Sequence, residues 1–364
     1  IAIKNGAFTY LTKPLNMDEL LVTISKGLDY QALNEKVEYL SNELKEKYSY
    51  KGIVGKSPAI QSIFQLIDKL KDVDTNVLIT GESGTGKELV ARAIHYSGAR
   101  SNENFVAINC AAIPEGLLES ELFGHKKGTF TSADKNKTGK FEFANKGTIL
   151  LDEVGDMSLS LQSKLLRVLE QKVYSPLGGN EFIKLNARVI ASTNKDLRKL
   201  IEEKKFRDDL YYRLNVVEIN IPPLRERRQD LPDLFAYMMD MYSRKLGKQV
   251  NRISPDAEQL LLNYDYPGNV RELSNIIEYG VLLSQNDSIV LSSLPDKVRI
   301  QRTGRSTENE INSLVGLSLM EIEKLIIGKT LEANNGNRKD SAQMLGISER
   351  GLRNKIKDYG LKGK

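Results

Sequence analysis

The 364-residue chain contains a single cysteine, Cys110, and only two histidines, His95 and His125. One cysteine excludes an internal disulfide, and so few Cys and His leave no cluster at zinc-ligand spacing. A reducing cytoplasm is the expected compartment. No stretch approaches the roughly 18 apolar residues of a membrane span, so no membrane partner is expected. Repeats with a period of about 20 to 50 residues are also missing. Position 1 is isoleucine and not methionine, from which we expect that the true start lies upstream.

Composition is otherwise ordinary for a soluble globular protein, with 40% hydrophobic and 28% charged residues, and the length favours two or three units, each burying its own core. Charge is unevenly placed. From Arg338 to the end there are eight basic residues against three acidic ones, an excess of five that equals the net charge of +5 for the whole chain. A basic tail on a neutral body points to nucleic acid.

Residues 1–29 read as a strand, a turn at Lys13-Pro14 and a helix opening near Asp18. In residues 30–50, Leu33, Val37, Leu40 and Leu44 follow heptad spacing in a polar background. That stripe reads equally as a dimerising seam or as a connecting helix on a neighbour, because two heptads do not decide. Across residues 51–222, apolar runs at 76–80, 105–108, 148–151 and 188–192 alternate with helical segments, predicting a parallel sheet with helices on both faces. Residues 223–296 turn helical, with Leu231, Leu234, Phe235 and Met238 in one segment and residues 260–262 in another. Residues 297–317 are polar and read as a linker. Residues 318–364 give three short helices.

Gly81-Glu82-Ser83-Gly84-Thr85-Gly86-Lys87-Glu88 lies between a strand ending at Thr80 and a helix through Leu89, Val90, Ala93 and Ile94. This is the context of an ATP-binding P-loop: glycines let backbone N–H groups wrap the phosphates, the helix N-terminus adds its positive end, and Lys87 reaches the β- and γ-phosphates. Glu88 stands where Ser or Thr usually ligates Mg²⁺, so a metal contact has to come from elsewhere. The run Ile149-Leu150-Leu151-Asp152-Glu153 supplies the second half: Asp152 to organise Mg²⁺ and Glu153 to polarise the attacking water. Together these residues predict ATP hydrolysis.

In the tail, Leu319, Ile322 and Ile326 make one amphipathic helix, and Ala342 and Leu345 a second ending in a turn at Gly346. Ser348 caps a third, with Leu352, Ile356 and Tyr359 inward and Arg350, Arg353, Asn354 and Lys357 outward. This is a helix-turn-helix whose last helix enters the DNA major groove.

With these motifs in place the chain resembles, over essentially its whole length, the AAA+ activators of sigma-54 RNA polymerase in the nitrogen regulatory protein C family. Its most specific stretch is ESELFGHKKGTFTSA, residues 119–133, similar to the family's ESELFGHEKGAFTGA. The resemblance implies that Gly128, Thr129, Phe130, Thr131, Ser132 and Ala133 form the loop that contacts sigma-54. Thr129, Ser132 and Lys126 stand where the family has Ala, Gly and Glu. It further implies a switch role for Asn109, holding the catalytic glutamate, and a first sensor at Thr193 and Asn194. Arg207 and Arg213 resemble arginine fingers acting on the next subunit, and Arg271 the second sensor on a helical lid. A homo-oligomer follows, a dimer assembling into a hexamer or heptamer.

Residues 6–21 are similar to the end of a response-regulator receiver domain, with Tyr10 as its switch aromatic and Lys13 as its phosphate contact. A cognate sensor kinase would act on the part upstream. The tail resembles the family's Fis-type domain. The expected fold is therefore α/β: an AAA+ P-loop parallel sheet with helical lid, then an all-α helix-turn-helix domain, preceded by a short receiver remnant. The expected function is sigma-54-dependent activation, with enhancer DNA, ATP and Mg²⁺ bound. A nucleotide-regulated DNA-binding regulator that contacts no sigma factor is the alternative. A DNA-processing motor fits the receiver-like start and the helix-turn-helix less well.

Overall fold

The computed structural model of the chain describes residues 8–11, 13, 16–48, 52–129, 134–299, 316–334 and 336–360. Pro14, most of the 297–317 linker, and Phe130, Thr131, Ser132 and Ala133 lie outside these residues. The chain divides into two units, Ile1–Leu294 and Pro295–Lys364.

The first unit opens with helix α1 (Met17–Tyr48). The Asn16 side chain accepts from the Asp18 and Glu19 amides, leaving fewer orphan donors at the helix start. No proline interrupts residues 15–57, so α1 runs unbroken through the expected boundary at 29/30. Leu33, Val37, Leu40 and Leu44 are all exposed on it. Helix α2 (Pro58–Leu70) begins at Ser57, whose hydroxyl accepts from Ile60 N–H, with Pro58 at the first helical position. That combination fixes a helix start locally.

Then come β1 (Val77–Thr80), α3 (Lys87–Tyr96), β2 (Phe105–Asn109), α4 (Glu115–Phe123), β3 (Gly124–His125), β4 (Lys137–Thr138), α5 (Lys140–Ala144) and β5 (Thr148–Asp152). They are followed by α6 (Leu159–Gln171), β6 (Val173–Tyr174), β7 (Ile183–Lys184), β8 (Arg188–Thr193), α7 (Leu197–Glu202), α8 (Asp208–Leu214) and β9 (Val217–Asn220).

Five strands form one parallel sheet in the order β2-β5-β8-β1-β9. Alternate residues face opposite sides. Val106, Ile108, Ile149, Leu151, Val189 and Ala191 pack with α4, α6 and α8. Val77, Ile79, Leu150, Ile190 and Ile219 pack with α2 and α3. Both faces are therefore covered, which explains why the central strands read as continuous apolar runs. The edge strand β9 alternates instead, with Ile219 buried between exposed Glu218 and Asn220. It carries no such run in the sequence.

The helical part of this unit holds α9 (Leu231–Leu246), α10 (Pro255–Asn263) and α11 (Asn269–Leu283). Leu231, Leu234, Phe235 and Met238 are buried on α9, as the periodicity predicts. Glycine at 247 takes φ 64° after its last turn, a left-handed stop that favours glycine.

The second unit contains α12 (Leu319–Ala333), α13 (Arg338–Met344) and α14 (Glu349–Asp358). Each has a side-chain cap: Ser318 with Glu321 in a capping box, Asn337, and Ser348. Ile327, Leu331, Ala342, Leu352 and Ile356 make the small core.

Candidate active site

Parallel pairing in this register ends β1, β2, β5 and β8 on one edge of the sheet: Thr80 lies opposite Thr193, and Asn109 opposite Asp152. Ligands of open α/β sheets bind at this carboxyl edge. The loop from Gly81 to Gly86 leaves β1 here. Gly84 has φ 79°, and a Cβ there would sit 2.3 Å from the Gly268 carbonyl oxygen. Only glycine meets both demands. Lys87 opens α3 and is buried; its Nζ donates to the Gly81 and Glu82 carbonyls at 2.9 and 3.4 Å, and lies 3.4 Å from Glu153 Oε1. Glu88 accepts instead from Arg92, one turn on, at 2.7 Å.

Asp152 and Glu153 are held in different ways. The Asp152 carboxylate accepts from Ser192 Oγ at 2.7 Å and from Asn109 Nδ2 at 3.2 Å. Glu153 follows it with φ 56°, a turn that separates the two carboxylates, and accepts from the Asn194 backbone N–H at 2.9 Å. One sequence expectation is corrected here: Asn109 reaches Asp152 and not Glu153. The reason is register, since Asn109 and Asp152 are paired across β2 and β5, whereas Glu153 has already turned away. Thr193 is buried and its Oγ1 accepts from Lys195 N–H. The strand end at 193–194 thus meets Glu153 through backbone.

The helical part grips the P-loop at each residue from 82 to 85. Arg225 donates to both Glu82 oxygens, at 2.9 and 2.6 Å. Asn269 Nδ2 donates to Glu82 Oε2 at 3.1 Å and to the Ser83 carbonyl at 3.0 Å. The Arg271 backbone N–H donates to the Gly84 carbonyl, and Arg227 Nη2 to that of Thr85. Hydrogen bonds from Arg225, then from Asn269, hold the Glu82 carboxyl down at about 2. Sequence reading identified Glu82 and Ser83 only as P-loop positions and passed over Arg225, Arg227 and Asn269. The one signal for the two arginines, the arginine-dense PPLRERR run, also describes a solvated charged surface, and Asn269 has none of that kind.

Between these groups lies a cleft of about 570 Å³ lined by Ser83 to Leu89, Asn109, Asp152, Glu153 and Arg271 at its polar end. Ile53, Val54, Leu234, Tyr237, Met238 and Met241 line its apolar part. Polar groups for phosphates beside an apolar recess for a base suit a nucleotide. Tyr48, at the end of α1, reaches the same cleft and stacks on Tyr96, with the Arg92 guanidinium 4.7 Å from its ring centre.

Arg207 and Arg213 do not border this cleft. Arg207 is bound by Asp209 and Ser163 Oγ, and Arg213 donates to the Leu169 carbonyl. Among the described residues no group of three or more His, Cys, Asp or Glu converges on a metal position. Mg²⁺ takes one or two carboxylates plus phosphate and water oxygens, and Asp152 with Glu153 on the cleft wall fits that smaller demand.

The hairpin of β3 and β4 carries Gly128 and Thr129. Thr129 Oγ1 donates to the Lys126 and Leu177 carbonyls, at 2.6 and 3.1 Å, beside the second hairpin of β6 and β7. In the second unit, Arg350, Arg353, Asn354 and Lys357 are exposed on α14 while Leu352 and Ile356 are buried.

Residues 53–220 match the family described as Sigma-54 interaction domain, residues 225–311 the AAA+ ATPase lid domain, and residues 318–359 the Fis family of bacterial regulatory proteins. The regulatory protein AtoC of Escherichia coli (strain K12) is 43% identical over 364 residues, covering 99% of this chain and 79% of that one. The DNA-binding transcriptional regulator NtrC of Azospirillum brasilense is 40% identical over 386 residues, covering 99% and 79%. The crystal structure of NtrX from Brucella abortus in complex with ATP superposes with a TM-score of 0.66 at 32% identity, covering 99% of this chain and 80% of that one.

Proposed function

Since the chain belongs to the family of sigma-54-dependent transcriptional activators that includes AtoC, ZraR and NtrC, we propose that it drives activation by hydrolysing ATP in a ring of its own copies. The observation that carries this reading is the convergence of Lys87, Asp152 and Glu153 on one cleft edge, with Lys87 Nζ 3.4 Å from Glu153 Oε1. A lysine at a helix N-terminus beside two carboxylates provides both a phosphate anchor and a base.

ATP lies with its phosphates along Gly81 to Glu88 and its base in the apolar recess. Lys87 leaves its loop carbonyls for the β- and γ-phosphates. Asp152 would hold Mg²⁺, which neutralises phosphate charge when bound. Glu153, fixed by the Asn194 amide, orients the attacking water and takes its proton. Arg271 reaches the phosphates from the lid. Arg207 and Arg213, which do not line their own cleft, serve that of the neighbouring subunit, where such a finger is typically worth about 10³ to 10⁵ in rate. Asn109 acts on Asp152, and through it on the metal position. The loop at residues 128–133 delivers the resulting motion to sigma-54, and α14 holds the assembly to enhancer DNA through Arg350, Arg353, Asn354 and Lys357. A sensor kinase acting on a receiver domain upstream is part of the same reading.

Glu153→Gln tests the chemical step. The variant should bind ATP as the parent does, hydrolyse it at least about 10²-fold more slowly, and fail to open a sigma-54 promoter. Turnover near the parent's rate would remove Glu153 from the role of base.

A further inference from the structure

Glu82 is a P-loop residue whose carboxylate points away from the cleft, into a three-donor grip from the helical part: two N–H groups of Arg225 and one of Asn269. Asn269 is fully buried and held in turn, its Oδ1 accepting from Leu224 N–H at 2.8 Å. The two grips share one short segment, because Leu224 and Arg225 are consecutive. Two residues beyond Asn269, the Arg271 backbone N–H bonds the Gly84 carbonyl, and the Arg271 side chain lines the cleft. Residues 224–225 and 269–271 are thus one clamp closed on residues 82–84.

From this we infer that Glu82 and Arg225 are positioning residues for nucleotide binding: their bidentate pair sets the lid on the P-loop and so places Arg271 at the phosphates. The inference rests on the cleft being an ATP site. A planar guanidinium bound to both carboxylate oxygens fixes orientation as well as distance, which a lysine cannot do. Both side chains are about two-fifths exposed, so the pair is screened by salt and contributes through geometry more than through stability. The remaining contacts, Asn269 to Ser83, the Arg271 N–H to Gly84 and Arg227 to Thr85 among them, hold the lid near the loop when the pair is cut. The clamp therefore loosens without the lid detaching.

Equilibrium ATP binding to the full chain tests this in a double-mutant cycle with Arg271. Arg225→Ala should weaken ATP binding roughly tenfold, and Arg225→Lys nearly as much, since the second N–H contact is lost. In an Arg271→Ala background the further change Arg225→Ala should cost little, because the group it positions is gone. Multiplying losses in the double variant, or parent-like binding by Arg225→Ala, would overturn the inference. Should Arg225→Ala unfold at the assay temperature, Glu82→Gln cuts the same pair and is held to the same outcomes. A parent chain that binds no ATP would instead remove the underlying assignment of the cleft.

Discussion

His95 shows how far burial alone can move a side chain's chemistry. It is buried under β2 and β5, with Nδ1 2.9 Å from Thr148 Oγ1 and Nε2 3.1 Å from the Glu103 carbonyl. A carbonyl only accepts, so Nε2 carries the proton and Nδ1 accepts from the hydroxyl. Desolvation is the largest cause holding the imidazole down at about 4. The native state therefore stays neutral where the unfolded chain, titrating near 6.5, has taken up a proton. Stability from this group is complete above about pH 6.5 and falls as pH drops toward 4, by roughly 3 kcal/mol in all. Urea unfolding at steps across that window should show the decline; a flat profile would mean that His95 is protonated in the native state. At the same scale, Glu88 ceases to be an anomaly. Its ion pair with Arg92 satisfies a carboxylate that would otherwise face the phosphates unpaired.

Among helix ends the cap at Ser348 was legible, because its signal is local; the structure adds caps of the same kind at Ser57 and Ser318. Ser57-Pro58, Ser318 with Glu321, and Ser348 each put a hydroxyl where the first turn needs an acceptor. Ser348→Ala should cost α14 about 1 kcal/mol, read as a roughly fivefold faster amide exchange over residues 349–358. Unchanged exchange would show that the 3.1 Å bond to Gly351 N–H contributes nothing. On the same helix, Arg353→Ala should weaken DNA binding and leave ATP turnover unchanged. Strands were most legible where both faces are buried, as in β1, β5 and β8. The three central strands stand out as apolar runs, as does the run of the edge strand β2, while β9, with Ile219 between two exposed polar residues, does not. Helix α1 runs continuously across the domain boundary expected at 29/30, because no proline stops it there.

For the whole molecule the decisive observation is that neither Arg207 nor Arg213 lines the cleft of its own chain. Arg207 is tied to Asp209 and Ser163 and Arg213 to Leu169. Complementation reads this directly. Arg213→Ala and Glu153→Gln chains should each hydrolyse little ATP alone, yet mixing them should restore turnover, because one partner supplies the arginine and the other the glutamate. Mixed rings no more active than the separate variants would place Arg213 outside the reaction.

The sequence alone determined the phosphate loop, the two carboxylates, the helical lid, the three helices of the tail with the cap at Ser348, and the family. Each depends on residues close together in the chain, where backbone geometry and periodicity leave few choices. Tertiary structure decided which groups those residues meet. Asn109 faces Asp152 because of register across two strands 43 positions apart, Glu82 meets Arg225 across 143, and Tyr48 joins the cleft from the end of α1. Such partners are set by sheet order and by the seating of the lid. Spacing along the chain carries no trace of either.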